Sequence, residues 1–414
     1  MECARPLSDI LSEKQVGNIL DETLSSGCRV VGYDIAPASE GLSGFLGEHY
    51  RVKLVLREGH KTRELRIFIK MVPRHNAPKA EFIHKYKFNV RESLMFKYIA
   101  ESGAADDESP WCAKAYIHNE NILVMPDLSV EGYRVRPFYE CLDLDHVLVT
   151  VRSLANFHAT LANLFTRKLQ IKSQRESLLA DLEYTTADPT FKDSPWLRAS
   201  AKLTANIFNE FSLNLDRVTN DFEEDIYKRF LEGCADLREY PDTLNTIVHK
   251  DLWVNNIMFK YKDDAPINAI LIDYQCIRYG PPAFDLMSLL YLTTSKTFRE
   301  ENEAKLMEYY FSEFTDRLDY LTRMRLQDMQ YDLAAFLRLC EMARKFGMVH
   351  TIGIFPYTLM EPCTAQATFD DPKTYVKYLE EDRSEPVIAH ARRCSYYRDR
   401  QVDVIDEFVE RYLQ

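Results

Sequence analysis

Three oxygen-bearing side chains occur in one short stretch of the chain, at a spacing that suits phosphoryl transfer. Asp251 and Asn256 lie in the segment IVHKDLWVNNIMFK, and Asp273 ends the apolar run ILID. A γ-phosphate must be held in line with its nucleophile while a divalent metal stabilises the developing charge. Magnesium prefers carboxylate and amide oxygens. We therefore predict that Asp251 takes the proton of an acceptor hydroxyl, and that Asn256 and Asp273 bind Mg²⁺.

Short apolar segments next to these residues indicate how they are brought together. The sequence predicts strands around 256–261 and 269–274, joined by the turn-like KDDAP at 262–266. Such a hairpin brings the loop before its first strand close to the Asp that ends its second. His249 is expected to brace this loop, and Asp285, at a helix start, to hydrogen-bond the loop amides. The alternative is a polar helix-capping loop with this spacing by chance.

The same pattern resembles the catalytic loop H-x-D-x-x-x-x-N and the metal-binding Asp of the protein-kinase-like superfamily. Asp273 is followed by Tyr-Gln and lies only twelve positions before Asp285, and no Ala-Pro-Glu motif follows, which argues against a protein kinase. The details are similar to the ecdysteroid kinase-like family, within the branch of choline kinases and aminoglycoside phosphotransferases. The matching segments are HKDLWVNN (249–256), LIDYQ (271–275), GPPAFDLMSLL (280–290), VMPDLSVEGYR (124–134), LANFHA (154–159) and FIKMVP (68–73).

This resemblance implies an α+β, two-lobed protein-kinase-like fold and ATP-dependent phosphorylation of a small-molecule hydroxyl, with ATP and Mg²⁺ bound. The expected acceptor is an ecdysteroid or a similar lipophilic alcohol. Lys70, inside the strand-like LRIFIK, is implied to contact the phosphates. Glu92 on the following helix is implied to pair with Lys70, and Glu81 is its rival for that role.

Further contacts are implied for the nucleotide and for the acceptor. Gly44 and Gly47 belong to a G-x-x-G-x-x-G run that departs from G-x-G-x-x-G, so a plain turn is the alternative to a phosphate-covering loop. Met125 and Asp127 fall where the hinge between the lobes should contact adenine. Trp253 is expected to line the acceptor pocket. Other candidates for that lining are Met287, Tyr291, Arg344 and Phe355.

The elements that must position these residues change in type along the chain. Strand-like runs at 29–35, 50–56, 64–71 and 122–125 accompany helical patterns at 7–24 and 80–101. From 142 onward most segments are helical. We therefore predict an N-terminal ATP-binding lobe over 1–128 and a helical C-terminal lobe over 129–414, which carries the catalytic loop and the acceptor pocket.

The amino-acid composition limits the classes of partner that the protein is expected to bind. The formal net charge is −12, and nucleic-acid binding needs clustered Lys and Arg, so no nucleic-acid partner is expected. Nine scattered cysteines without metal spacing indicate free thiols in a reducing compartment. No stretch has the roughly 20 apolar residues of a membrane span. The sequence predicts a cytoplasmic protein that acts on a small molecule, without a membrane or an obligate protein partner.

Two other hypotheses stay open at this point. The acceptor could be choline, ethanolamine or an aminoglycoside, because an acidic or aromatic-lined pocket binds cations. Alternatively, the chain could be a catalytically inactive nucleotide-binding protein on the same scaffold. The joint presence of Lys70, Asp251, Asn256 and Asp273 argues against the second hypothesis.

Overall fold

The structure is a computed structural model that describes residues 6–23, 28–38 and 46–413. Its N-terminal lobe contains a five-stranded antiparallel sheet with the strand order β1-β2-β3-β5-β4. The strands are β1 (Arg29–Pro37), β2 (Glu48–Glu58), β3 (Lys61–Met71), β4 (Ile117–His118) and β5 (Ile122–Pro126). The helices of this lobe are α1 (Glu13–Thr23), α2 (Ala77–Tyr86) and α3 (Phe88–Ser102).

Alternation along the central strand explains how a lysine reaches the cleft. Side chains of a strand point to opposite faces in turn. On β3, Ile67 and Ile69 are fully buried in a small core together with α1. Phe68 and Lys70 therefore point to the other face of the sheet, which lines the cleft between the lobes.

The helix predicted over 80–101 is two helices. Lys87 lies between α2 and α3 with a φ of 57°, in the left-handed region, and this conformation ends α2 before α3 begins. Apolar periodicity runs across the break, so the sequence pattern does not show it. The break makes α3 a separate helix, and its residue Glu92 lines the cleft.

The C-terminal lobe is mainly helical. Its helices are α4 (Leu144–Gln170), α5 (Lys172–Thr186), α6 (Pro195–Phe211), α7 (Phe222–Asp236), α8 (Ala283–Thr293), α9 (Lys296–Asp316), α10 (Tyr320–Asp328), α11 (Leu333–Thr358), α12 (Pro362–Phe369), α13 (Ser384–Ala391) and α14 (Ser395–Tyr412). Two small antiparallel sheets accompany them. They are formed by β6 (Tyr133–Arg134), β8 (Ile257–Lys262) and β9 (Ala265–Leu271), and by β7 (Thr246–Val248) and β10 (Arg278–Gly280).

Helix α8 is the centre of this lobe, because all of its residues are buried. Helix α11 crosses it at very short range. A Cβ atom built at Gly347 of α11 would lie 3.1 Å from the backbone carbonyl of Met287 in α8. Glycine at this position thus sets the distance between the two helices.

A polar clamp joins the two lobes on the side of α2. Asp370, which follows α12, accepts hydrogen bonds from Lys79 Nζ at 3.0 Å and from Asn76 Nδ2 at 3.1 Å. Both donors are buried. The α+β, two-lobed fold predicted from the sequence is therefore confirmed, whereas the exact boundary at residue 128 stays a prediction.

Substitution of Gly347 by Ala should destabilise the protein, because the added methyl meets backbone atoms of α8 that cannot move alone. We expect a loss of about 1–3 kcal/mol in the free energy of unfolding. Gly17 of α1 is the matched control, since nothing lies within 4 Å of a Cβ built there. Gly17→Ala should stabilise by up to about 1 kcal/mol. Urea denaturation measures both, and equal effects of the two substitutions would contradict this packing.

Candidate active site

The loop after β7 brings Asp251 and Asn256 into contact. A short 3₁₀ turn, Val254–Asn256, folds the loop back on itself. Asn256 Nδ2 then donates to the backbone oxygen of Asp251 at 2.7 Å and to its Oδ2 at 3.2 Å. This arrangement fixes the Asp251 carboxylate, and Oδ1 of Asn256 makes no hydrogen bond to the described residues.

Asp273 follows β9 and approaches from the opposite side. Its φ is 69°, in the left-handed region, which Asp tolerates better than most residues. Its Oδ1 accepts a hydrogen bond from Lys70 Nζ at 2.7 Å, and its Oδ2 accepts one from Gln275 Nε2 at 3.2 Å. The end of β9 therefore places a carboxylate directly below the N-terminal sheet.

Lys70 has three partners in a nearly buried site. Besides Asp273, its Nζ contacts Glu92 Oε2 at 2.9 Å and donates to Gln275 Oε1 at 3.2 Å. Burial alone would lower the pKa of Lys70, but the carboxylates of Asp273 and Glu92 outweigh it and raise the pKa. Glu81, the alternative partner for Lys70, is exposed.

Asp285 supports the catalytic loop from the start of α8. Its carboxylate accepts hydrogen bonds from the backbone N–H groups of His249 at 2.5 Å and of Lys250 at 2.7 Å. His158 Nε2 donates to the same carboxylate at 3.0 Å, and Tyr310 donates its hydroxyl proton to His158 Nδ1 at 2.6 Å. The sequence indicated Asp285 as the residue that bonds the loop amides, but it gave no role to His158.

His249 lies behind the loop, fully buried. Its Nε2 donates to the backbone oxygen of Ile272 at 2.9 Å, and its Nδ1 accepts from the N–H of Asp251 at 3.3 Å. Burial lowers the pKa of His249, so the ring is neutral and suits this pair of hydrogen bonds. The ring of His249 therefore connects the loop to the end of β9.

The charges around Asp251 fit a divalent cation. Burial and the neighbouring Asp273 raise the pKa of Asp251 to about 7, against the opposing effect of Lys250. Among the described residues, no group of three or more His, Cys, Asp or Glu is placed to hold a metal. One carboxylate and one amide oxygen match instead the way Mg²⁺ binds when phosphates and water complete its shell. Asn256 and Asp273 would hold such an ion.

A cleft of about 1140 Å³ opens on the side of the N-terminal sheet. It contains Met125 and Asp127 near one end and Lys70, Asn256 and Asp273 at the other. The N–H of Asp127 donates to Arg66 at 3.1 Å, and its side chain accepts from Ser129 N at 3.1 Å. Asp127 therefore caps the 3₁₀ turn Leu128–Glu131 that follows β5, and its N–H and Oδ1 are already hydrogen-bonded within the protein.

Only part of the glycine-rich run can be placed. Gly44 lies outside the described residues. Gly47 lies over Lys70, since a Cβ built there would be 3.2 Å from Cγ and 3.3 Å from Cε of Lys70. The absence of a side chain at Gly47 lets the loop approach this lysine closely.

A second cleft, of about 970 Å³, opens on the opposite side of Asp251 and Asp273. Trp253, which is expected from the sequence to contact the acceptor, lines this cleft. Most of the other lining residues are apolar or aromatic. They are Leu46, Phe82, Phe88, Phe191, Trp196, Ile354, Tyr357, Phe369, Tyr375 and Leu379. We refer to this cleft as the acceptor pocket.

The other four candidates for the pocket lining were wrong. Met287 and Phe355 are buried in the core, Tyr291 donates to Glu407 at 2.8 Å, and Arg344 donates to Glu303 at 2.8 Å. The pocket-facing side of α11 carries other residues instead, at helical spacing. They are His350, Ile354, Tyr357 and Thr358. Phe355, by contrast, lies on the face of α11 that packs into the core.

An ion pair that the sequence does not indicate lies beside the acceptor pocket. Lys250 has a φ of 68° and directs its ammonium to Asp188, and both side chains are almost fully buried. Burial would raise the pKa of Asp188, but Lys250 and Arg278 hold it well below its ordinary value. The two partners are far apart in sequence, and no local motif relates them.

The sequence of this protein is similar to that of a known family. The sequence model of the ecdysteroid kinase-like family matches residues 42–323. The match covers more than half of the chain and includes Lys70, the catalytic loop and Asp285. The protein therefore belongs to the ecdysteroid kinase-like family.

Solved structures of small-molecule kinases are similar to the chain over most of its length. Choline kinase LicA from Streptococcus pneumoniae has 12% sequence identity and a TM-score of 0.36, and the match covers 82% of this chain and 98% of that one. Aminoglycoside phosphotransferase APH(2″)-IIIa, solved with GDP and kanamycin, has 10% identity, a TM-score of 0.39, and coverage of 96% and 99%. A search of curated proteins found no match.

The central position of Asp285 can be tested by Asp285→Asn. The amide has one acceptor oxygen for three donors, and its NH₂ group would face an N–H of the loop. We expect a loss of about 3 kcal/mol in the free energy of unfolding, measured by urea denaturation. Asp242→Asn, at an exposed site, is the control and should change stability by less than about 0.5 kcal/mol. Similar stability of the two variants would refute the bracing role.

Proposed function

We propose that this protein transfers the γ-phosphate of ATP to a hydroxyl group of a small lipophilic alcohol, an ecdysteroid or a similar compound. The observation that supports this proposal best is the meeting of two clefts at one carboxylate. Asp273 lines both the cleft of Lys70 and the acceptor pocket, while Asp251 lies on the acceptor side. A donor phosphate and an acceptor hydroxyl bound in these clefts would meet between the two carboxylates.

Each side chain has a role in this proposal. Lys70, held by Glu92, would bind the α- and β-phosphates, and the hinge at Met125 would contact the adenine. Asn256 and Asp273 would hold Mg²⁺, which supplies charge neutralisation on the phosphates. Asp251 would orient the acceptor hydroxyl. As the acceptor oxygen bonds to the γ-phosphorus, the bond from phosphorus to the β–γ bridging oxygen breaks, ADP leaves, and the hydroxyl proton passes to Asp251.

The acceptor pocket favours a neutral acceptor over choline or an aminoglycoside. Lys250 Nζ lies 4.9 Å from the ring centre of Phe191. The guanidinium of Arg383 lies 5.3 Å from Trp196 and 5.2 Å from Tyr357. Aromatic rings bind a ligand cation through their π faces, and here three of the rings already interact with cations of the protein itself. The faces of these three rings are therefore occupied by cations of the protein and are not open to a ligand cation, whereas a neutral apolar body needs no such face.

The location and the partners of the protein are predicted from the sequence alone. Among the described helices, none is both long enough and apolar enough to cross a membrane. A cytoplasmic location, the lack of an obligate protein partner and the lack of a nucleic-acid partner stay predictions from the sequence.

Replacement of Asp251 by Asn should abolish phosphoryl transfer and preserve nucleotide binding, because the amide cannot take the proton and the nucleotide cleft is unchanged. We expect turnover to fall by about 10²–10⁴-fold. The measurement is transfer of labelled phosphate from ATP to a panel of hydroxylated steroids and choline-like alcohols, with nucleotide affinity measured in parallel. Asp145→Asn, at an exposed position in the first turn of α4, is the matched control. Turnover of Asp251→Asn close to that of wild type would exclude Asp251 as the base.

A further inference from the structure

Two polar groups in the wall of the acceptor pocket have hydrogen-bonding capacity that the protein does not use. They are the ammonium of Lys250 and the imidazole of His350, and both residues line the pocket and are 2% exposed. Most of the pocket lining is apolar or aromatic. Buried polar groups in proteins are nearly always hydrogen-bonded, so the unused capacity of these two groups requires an explanation.

The imidazole of His350 is without a partner. Its ring makes no hydrogen bond to the described part of the chain, and Nδ1 is buried. Aromatic neighbours hold the ring in place: Phe346 stacks on it at a centroid distance of 5.7 Å, and Phe191 meets its edge at 4.9 Å. Burial and the nearby Lys250 lower the pKa of His350 to about 3, so the ring is neutral and has one donor and one acceptor nitrogen.

Lys250 is held in an unfavourable backbone conformation. Its φ of 68° lies in the left-handed region, which costs a non-glycine residue of order 1 kcal/mol or more. An ammonium has three N–H donors, and the acceptor that Lys250 has among the described residues is one oxygen of Asp188. Strain of this kind persists only where the surrounding structure enforces it, and it clusters at functional sites. The neighbouring residue Asp251 is the proposed base.

From these observations we propose that Lys250 and His350 form a second polar subsite, which binds a carbonyl or hydroxyl oxygen of the acceptor away from the hydroxyl that is phosphorylated. The acceptor is then a neutral lipophilic compound with at least two oxygen functions. This proposal depends on the proposed function in one respect, namely that this cleft is the site where the acceptor binds. The subsite would determine which acceptors bind, because a pocket that hydrogen-bonds an oxygen of its ligand rejects an analogue without that oxygen.

The chemistry of the subsite specifies the second oxygen further. Lys250 is only a donor, and the neutral imidazole adds one donor nitrogen, so donors outnumber acceptors. A carbonyl oxygen, which accepts two hydrogen bonds, matches this set better than an ether or an amine. The buried charge of Lys250 is balanced by Asp188, so a neutral carbonyl meets no unpaired charge.

The test uses matched pairs of neutral polycyclic alcohols that differ only in one ketone or hydroxyl group. Binding is followed by tryptophan fluorescence without ATP, since Trp196 and Trp253 line the pocket and Trp111 is fully buried elsewhere. Wild-type protein should bind the member with the second oxygen at least about tenfold more tightly in one or more pairs. Equal affinity in every pair, or binding of none of these alcohols, would overturn the proposal.

The variant His350→Phe keeps a ring in the aromatic stack and removes both nitrogens. We expect the ratio of the affinities for the two alcohols of a pair to fall by about tenfold in this variant. Its affinity for ATP should be unchanged, and its melting temperature should be unchanged or higher. His390→Phe is the matched control, because Nε2 of His390 is also buried without a partner and lies outside the pocket. A preference that survives in His350→Phe would show that the ring is only structural.

These results separate the subsite from the proposed function. Selective binding without any phosphate transfer would refute the kinase activity and support the subsite. Transfer to both members of every pair with equal affinity would support the kinase activity and refute the subsite. The comparison on wild-type protein needs no variant, so the proposal can be rejected even if His350→Phe does not fold.

Discussion

The ammonium of Lys70 is a full positive charge in a site that is almost closed to solvent, and removal of its hydration costs several kcal/mol. Glu92, Asp273 and Gln275 compensate this cost through direct contacts. Glu92 belongs to the N-terminal lobe, whereas the other two belong to the C-terminal lobe. The charge can be buried only when the two lobes are correctly placed. The contacts of Lys70 therefore fix the positions of the N-terminal sheet, α3 and the end of β9 relative to one another.

Local signals explain why part of the site could be predicted from sequence. Asp251 and Asn256 share one loop, and Asp273 ends the adjacent hairpin, so their proximity follows from short-range geometry. The position of Lys70 follows from the alternation along β3. The choice between Glu92 and Glu81 does not, because it depends on the break at Lys87, where a left-handed residue ends α2 without a glycine or proline to mark it.

The acceptor pocket shows the limit of such reasoning. Its wall is assembled from α2, α3, α6, α11 and the segments after α11, and no sequence pattern relates these elements. On α11, core and pocket residues alternate on two faces that are both largely apolar, so periodicity could not select His350 over Phe355. Close packing adds a further constraint that the sequence does not show: a Cβ at Gly353 would lie 2.7 Å from Trp196, so the indole occupies the space of a missing side chain.

We propose that Asp273 and Lys70 together form a site for a metal-bound nucleoside triphosphate. Calorimetric titration of wild-type protein and Asp273→Asn with ATP, each with and without Mg²⁺, provides the test. Binding of metal and nucleotide to one site must be coupled reciprocally. We expect Mg²⁺ to tighten ATP binding to wild-type protein by about tenfold or more, and Asp273→Asn to lose this gain in affinity. Equal ATP affinity of wild-type protein with and without Mg²⁺ would contradict it.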